Sequence, residues 1–204
     1  MSSILKVIIP LLLCSRLLAA SAAEEYYAAV ERHLRSLPSL EIGYRAKGPE
    51  FPEAGLEGRL AFRRPDGFYH DTPEWTHCEV NGEQWRLLKE QVTLLLEDAE
   101  GRAGWTPEVV LLSLNRELSP YDLVSQADGD TLLVLDAASA QVSGQVNMLF
   151  APNRRVPKRI EFVGDEGVTS SYEILMWHEA VTLDSSLFAP PAVPAENVID
   201  FRTK

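Results

Sequence analysis

Three sets of residues in this 204-residue chain are of types that could do chemistry. The first is His70, Asp71, His77 and Cys78, the side chains of a metal cage. Their spacing argues against it, because His70 and His77 fall on different extended runs with Pro73 between them. The other histidines, His33 and His178, lie far from them in the chain. The second set is the acids, 30 against 19 basic residues, whose pairs a solvated face explains as well as acid–base work does. The chain has no Gly-x-Ser-x-Gly elbow, no phosphate loop and no spaced Cys/His ligand set. It therefore reads as something other than an enzyme, with no catalytic residue, no metal ligand and no cofactor. The third is a single residue, Arg64, which closes the run Gly55–Pro65. With period two, Leu56, Gly58, Leu60, Phe62 and Arg64 share one face, and Glu57, Arg59, Ala61 and Arg63 the other. A guanidinium cannot shed its charge, so on a covered face it needs carbonyl or carboxylate partners. Either Arg64 ends the strand before Pro65 and reaches water, or it is a polar latch at the rim of an apolar hollow.

Length and composition set the frame for these residues. At 46% hydrophobic and 24% charged, the chain suits one ordinary domain. Residues 1–23 read as a secretory signal peptide: Lys6 ahead of the apolar Val7–Leu13, then the small residues Ala19–Ala23, with cutting near Ala22 or Ala23. Cys14 follows Leu13, where a lipidation site wants a small residue. No run of about 20 apolar residues is present to span a membrane. Removal of residues 1–23 takes Lys6 and Arg16 away and moves the net charge from −11 to −13. That disfavours nucleic acid and anionic lipid surfaces as partners. Cys78 is then the sole cysteine, unable to pair within the chain, and reads as a small buried apolar residue.

The elements that must position Arg64 follow from periodicity. Glu24 to Leu37 reads as an amphipathic helix on Tyr27, Val30, Leu34 and Leu37, ended by Pro38. Leu40, Ile42 and Tyr44 open a run of about five strands. Asp66-Gly67 gives a turn before the short strand Phe68–His70, and Asn81-Gly82 is a strong hairpin signal inside 77–88. Thr106-Pro107 and Ser119-Pro120 each read as a helix start, the first leading an apolar stretch to Leu114 and the second a short helix through Val124. Strands resume over 131–135, 145–150, 159–163 and 170–177, before an irregular tail holding Pro190, Pro191 and Pro194. About nine antiparallel strands with few helices make a mainly β (α+β) fold, a strongly curved sheet or incomplete barrel.

In this order the chain resembles the periplasmic outer-membrane lipoprotein carrier family, LolA, across residues 24–204. The features carrying the likeness are Gly58 to Pro65, Asn81-Gly82 with Trp85, and Thr106-Pro107. With them go Leu149-Phe150, Val156-Pro157 ahead of Arg159–Phe162, and Leu187-Phe188 with Pro190-Pro191 and Val198–Asp200. The first strand, Ile42-Gly-Tyr-Arg45, and the short Phe68-Tyr69 depart from the family pattern. The resemblance implies an antiparallel half-barrel with a helical lid over an apolar cavity. It also implies a periplasmic carrier that binds acyl chains of lipoproteins and moves them from inner to outer membrane. Its partners would be acylated lipoproteins or lipid, an inner-membrane transporter and an outer-membrane acceptor, and it would act as a monomer. Arg64 takes the place of the family's cavity arginine, which bonds to lid carbonyls. The implied cavity walls are Leu60, Phe62, Phe68, Trp85, Leu87, Met148 and Phe150, with Val110 and Leu114 from the lid. A related lipid-binding, exporter-accessory or sensor protein on the same fold is the other reading.

Overall fold

Alternation of apolar and polar residues over most of the chain gives a sheet in the computed structural model, which describes residues 22–65, 67–98, 118–139, 142–164 and 167–202. Residues 22–36 form helix α1, in which Ala23, Tyr27, Val30 and Leu34 are buried at helical spacing. It stops two residues before Pro38, whose ring cannot continue a helix. Six strands follow: β1 (Ser39–Lys47), β2 (Leu56–Arg63), β3 (Gly67–Asp71), β4 (Trp75–Val80), β5 (Glu83–Leu88) and β6 (Thr93–Asp98). The second set is β7 (Leu118–Ser125), β8 (Thr131–Ser139), β9 (Val142–Phe150), β10 (Pro157–Gly164), β11 (Gly167–Glu179) and β12 (Val198–Asp200).

Among the described residues these strands form one sheet in the order β12-β6-β5-β4-β3-β2-β1-β11-β10-β9-β8-β7. Two meanders, β1 to β6 and β7 to β11, are joined where β11 pairs with β1. All neighbours are antiparallel except β12, which lies parallel to β6. Asn81 and Gly82 turn β4 into β5 with φ of 54° and 80°, the positive values a two-residue hairpin demands. So long a sheet must curl. Its end strands, β12 and β7, do not meet, so the barrel stays open as a half-barrel.

The alternation gives the sheet two faces with separate cores. Leu40, Ile42, Leu60 and Phe68 from one meander and Leu133, Met148 and Phe150 from the other pack under α1 in a single cluster. On the opposite face of β3 to β6, Cys78, Trp85 and Leu94 form a smaller core closed by Phe188 of the C-terminal segment. That segment is pinned three ways: Trp85 Nε1 donates to the Phe188 carbonyl at 3.1 Å, the Cys78 thiol donates to it at 3.5 Å, and the Arg63 guanidinium carbon lies 4.2 Å from the Phe188 ring centre. Burial pushes the Cys78 thiol up to about 12, so it stays a protonated, small core residue.

Residues 119–124 are not a helix. They belong to β7, and the Pro120 that resembles a helix start sits in an edge strand of the described sheet, beside a shift in its register with β8, where a missing N–H is tolerated. The strand count rises from about nine to twelve partly for this reason, and partly because Val198–Asp200 pairs with β6. The expected lid helix, with Thr106, Pro107, Val110 and Leu114, lies outside the described residues.

Gly58 shows how closely the helix-side face is packed. A Cβ there would run into the ring of Tyr44, which is buried and bonded through its hydroxyl to His70 Nε2 at 2.5 Å. Gly58→Ala is therefore expected to cost about 1–3 kcal/mol of stability by urea denaturation. An unchanged midpoint would contradict the packing described.

Candidate functional site

The four C-terminal carbonyls of a helix lack partners within it and carry its partial negative charge. In α1 this end is met by Arg64. Arg64 Nε donates to the Leu37 carbonyl at 3.0 Å and Nη2 to the Leu34 carbonyl at 3.1 Å, while its backbone N–H donates to the Pro38 carbonyl at 2.9 Å. The Ser36 hydroxyl takes the His33 carbonyl at 2.7 Å. Arg64 is exposed, as the end of a strand should be, and is also tied to a helix. The helix it holds is the N-terminal one.

Beside this junction lies a cavity of about 320 Å³, at the lower end of the range for small-ligand sites. Leu34, Leu37, Leu40, Phe62 and Phe68 give it apolar walls, with Ser39, Arg64 and Glu79 among its polar ones. Of the expected wall residues, Phe62 and Phe68 line it. Leu60, Met148 and Phe150 share the helix-side face but are packed beneath α1, where Phe150 meets Tyr26 edge-on at 5.3 Å. Trp85 and Leu87 are not wall residues. The pairing of Tyr69 with Cys78 and of Cys78 with Trp85 puts both on the face covered by the C-terminal segment. Alternation fixes that Trp85 and Leu87 share a face, and leaves open which one. The same register separates the sequence cluster, with His70 paired to His77 on the helix side and Asp71 and Cys78 on the other.

A second tie fixes α1 farther back. His33 Nε2 lies 2.8 Å from Glu179 Oε1, and Trp177 Nε1 donates to the same oxygen at 2.8 Å. Burial alone would raise the Glu179 carboxyl. The bonds from Trp177 and His33, together with the imidazole's charge, outweigh it and hold the carboxyl below its ordinary 4.5. No spacing signal announces a pair 146 residues apart; only the β1–β11 register brings them together.

The sign of the Glu179 shift fixes its pH dependence. A lowered folded pKa gives stability that is complete above the ordinary carboxylate range and lost as pH falls through the folded value. Between about pH 5 and 3, urea midpoints should fall less steeply for Glu179→Gln than for the unaltered protein. Identical slopes would rule the tie out as a contributor. Trp85→Phe, which removes one bond on the opposite face, should cost about 1 kcal/mol and leave ligand binding in the cavity unchanged. A binding defect in that variant would contradict the face assignment.

No family model matches the chain, and no curated protein matches it. In structure it is similar to an uncharacterized conserved protein from Thermus thermophilus, at 13% identity, 88% of this chain, 99% of that one and a TM-score of 0.59, a likeness that shows the shared fold. Looser likenesses join it to a LolA superfamily protein from Nitrosomonas europaea, at 10% identity, 84% and 98% coverage and a TM-score of 0.42. They also join it to the Pseudomonas aeruginosa MucA/MucB complex, at 10% identity, 83% and 61% coverage and a TM-score of 0.39.

Proposed function

We propose that this protein is a periplasmic carrier, exported by its signal peptide, that shelters the acyl chains of lipoproteins against the helix-side face and passes them between inner and outer membrane. The observation that carries the reading is the cavity with apolar walls at the C-terminal end of α1, with Arg64 holding that end to the sheet. The task is solvation, and no bond is made or broken. Each methylene removed from water gains about 0.8 kcal/mol, so one long acyl chain gains on the order of 10 kcal/mol. Against it stands the stripe Tyr27, Val30 and Leu34, whose burial stabilises the closed form by about 1.5–3 kcal/mol per side chain. The two sums are similar, so an acyl chain can replace the helix on the sheet without being held for good. Two bonds from a charged donor, each about 1.5–3 kcal/mol, are of the size that tips such a balance towards release.

Arg64→Leu should therefore slow the release of acylated cargo by about tenfold or more while changing the urea midpoint little. Equal losses in release and stability would reduce Arg64 to a surface strand end. Mass spectrometry of what co-purifies from the periplasm supplies the cargo. Acylated lipoproteins are expected; free lipid alone would move the protein to a lipid-binding or accessory role, and no acyl compound at all would overturn the proposal.

A further inference from the structure

A guanidinium has five N–H donors. Arg64 spends Nε and Nη2 on the Leu37 and Leu34 carbonyls, and neither acceptor is a charged side chain. Arg35, Arg45, Arg59, Arg159 and Arg202 each hold a carboxylate; among the described residues Arg64 holds none. With 30 acidic residues in the chain against 19 basic ones, a carboxylate is the commonest partner on offer. Arg63 also lines the cavity, but its guanidinium is turned over the Phe188 ring, 4.2 Å from the ring centre. Glu79, the acid among the described lining residues, has an interaction of its own. Among the described residues Arg64 is thus a cation met by helix-end carbonyls alone, in the lining of a cavity walled by Leu34, Leu37, Leu40, Phe62 and Phe68.

We infer that this cavity takes a single-chain amphiphile with an anionic head, carboxylate or phosphate, seated on Arg64. The inference rests on the acyl-binding reading and concerns a ligand other than acylated lipoprotein: Arg64 favours release of the lipoprotein, but would hold an anionic head. Carboxylates and phosphates accept paired, charge-assisted bonds from a guanidinium, roughly twice as strong as those to neutral acceptors. Such a head competes with the Leu34 and Leu37 carbonyls for the same donors. Its chain competes with the Leu34 and Leu37 side chains for contact with Leu40, Phe62 and Phe68. Both halves of the ligand act against the C-terminal end of α1, so binding and opening are one event. An uncharged amphiphile gains only the second contest, and a free anion only the first.

The test is calorimetric titration of the full chain with laurate, lauryl phosphate, lauryl alcohol and inorganic phosphate, each kept below micelle formation. Laurate and lauryl phosphate should bind the unaltered protein at least about tenfold more tightly than lauryl alcohol. That ratio should fall to about one in Arg64→Gln and persist in Arg63→Gln, with thermal melts confirming that both variants are folded. Should Arg64→Gln fail to fold, the comparison on the unaltered protein decides alone. Equal affinity for laurate and lauryl alcohol there overturns the anionic head and leaves the acyl reading standing. Inorganic phosphate binding as tightly as lauryl phosphate overturns the amphiphile in favour of a small anion. Failure of all three lauryl compounds to bind overturns both readings.

Discussion

A curled sheet with one apolar face cannot leave that face in water, and among the described residues it has a single α-helix to cover it. Everything else in the molecule answers to this constraint. Tyr27, Val30 and Leu34 supply the cover, and Arg64 and the His33–Glu179 pair fix where it lies. The opposite face does not compete for the helix, because the C-terminal segment closes its smaller core around Phe188. The protein thus keeps one face firmly closed and the other closed by a helix tied at few points.

The ties differ in kind. Apolar burial under α1 is large but undirected, and an acyl chain can supply the same contacts. The bonds at Arg64 are smaller and directional, and a methylene chain cannot reproduce them. A carrier needs both, since affinity without a competing closed state would hold its cargo permanently. The cavity is found where the two kinds of tie meet, at the C-terminal end of α1.

Most of the architecture was legible as periodicity. The α1 stripe, the Asn81-Gly82 hairpin and the alternation through β1, β2 and β8 to β11 each follow from residue spacing, because local backbone geometry repeats at fixed intervals. Pairing at long range did not show. Trp85 and Leu87 alternate correctly but face the C-terminal segment, since which side of a strand turns inward depends on what covers it. Ser119-Pro120 carries the signal of a helix start and of an edge strand alike, and only its neighbour β8 decides. Arg64 stood out in the sequence as a charge ending an apolar row. Its partners, Leu34 and Leu37, stood out only as part of a helix.

The central claim is that α1 occupies the surface an acyl chain needs and must leave it for binding. Spin labels at Arg32 on the exposed side of α1 and at the exposed Arg86 of β5 would report this as a distance, measured by pulsed electron resonance with and without saturating long-chain ligand. One narrow distance is expected without ligand and a shifted or broadened one with it. An unchanged distribution in a sample shown to hold the ligand would contradict it.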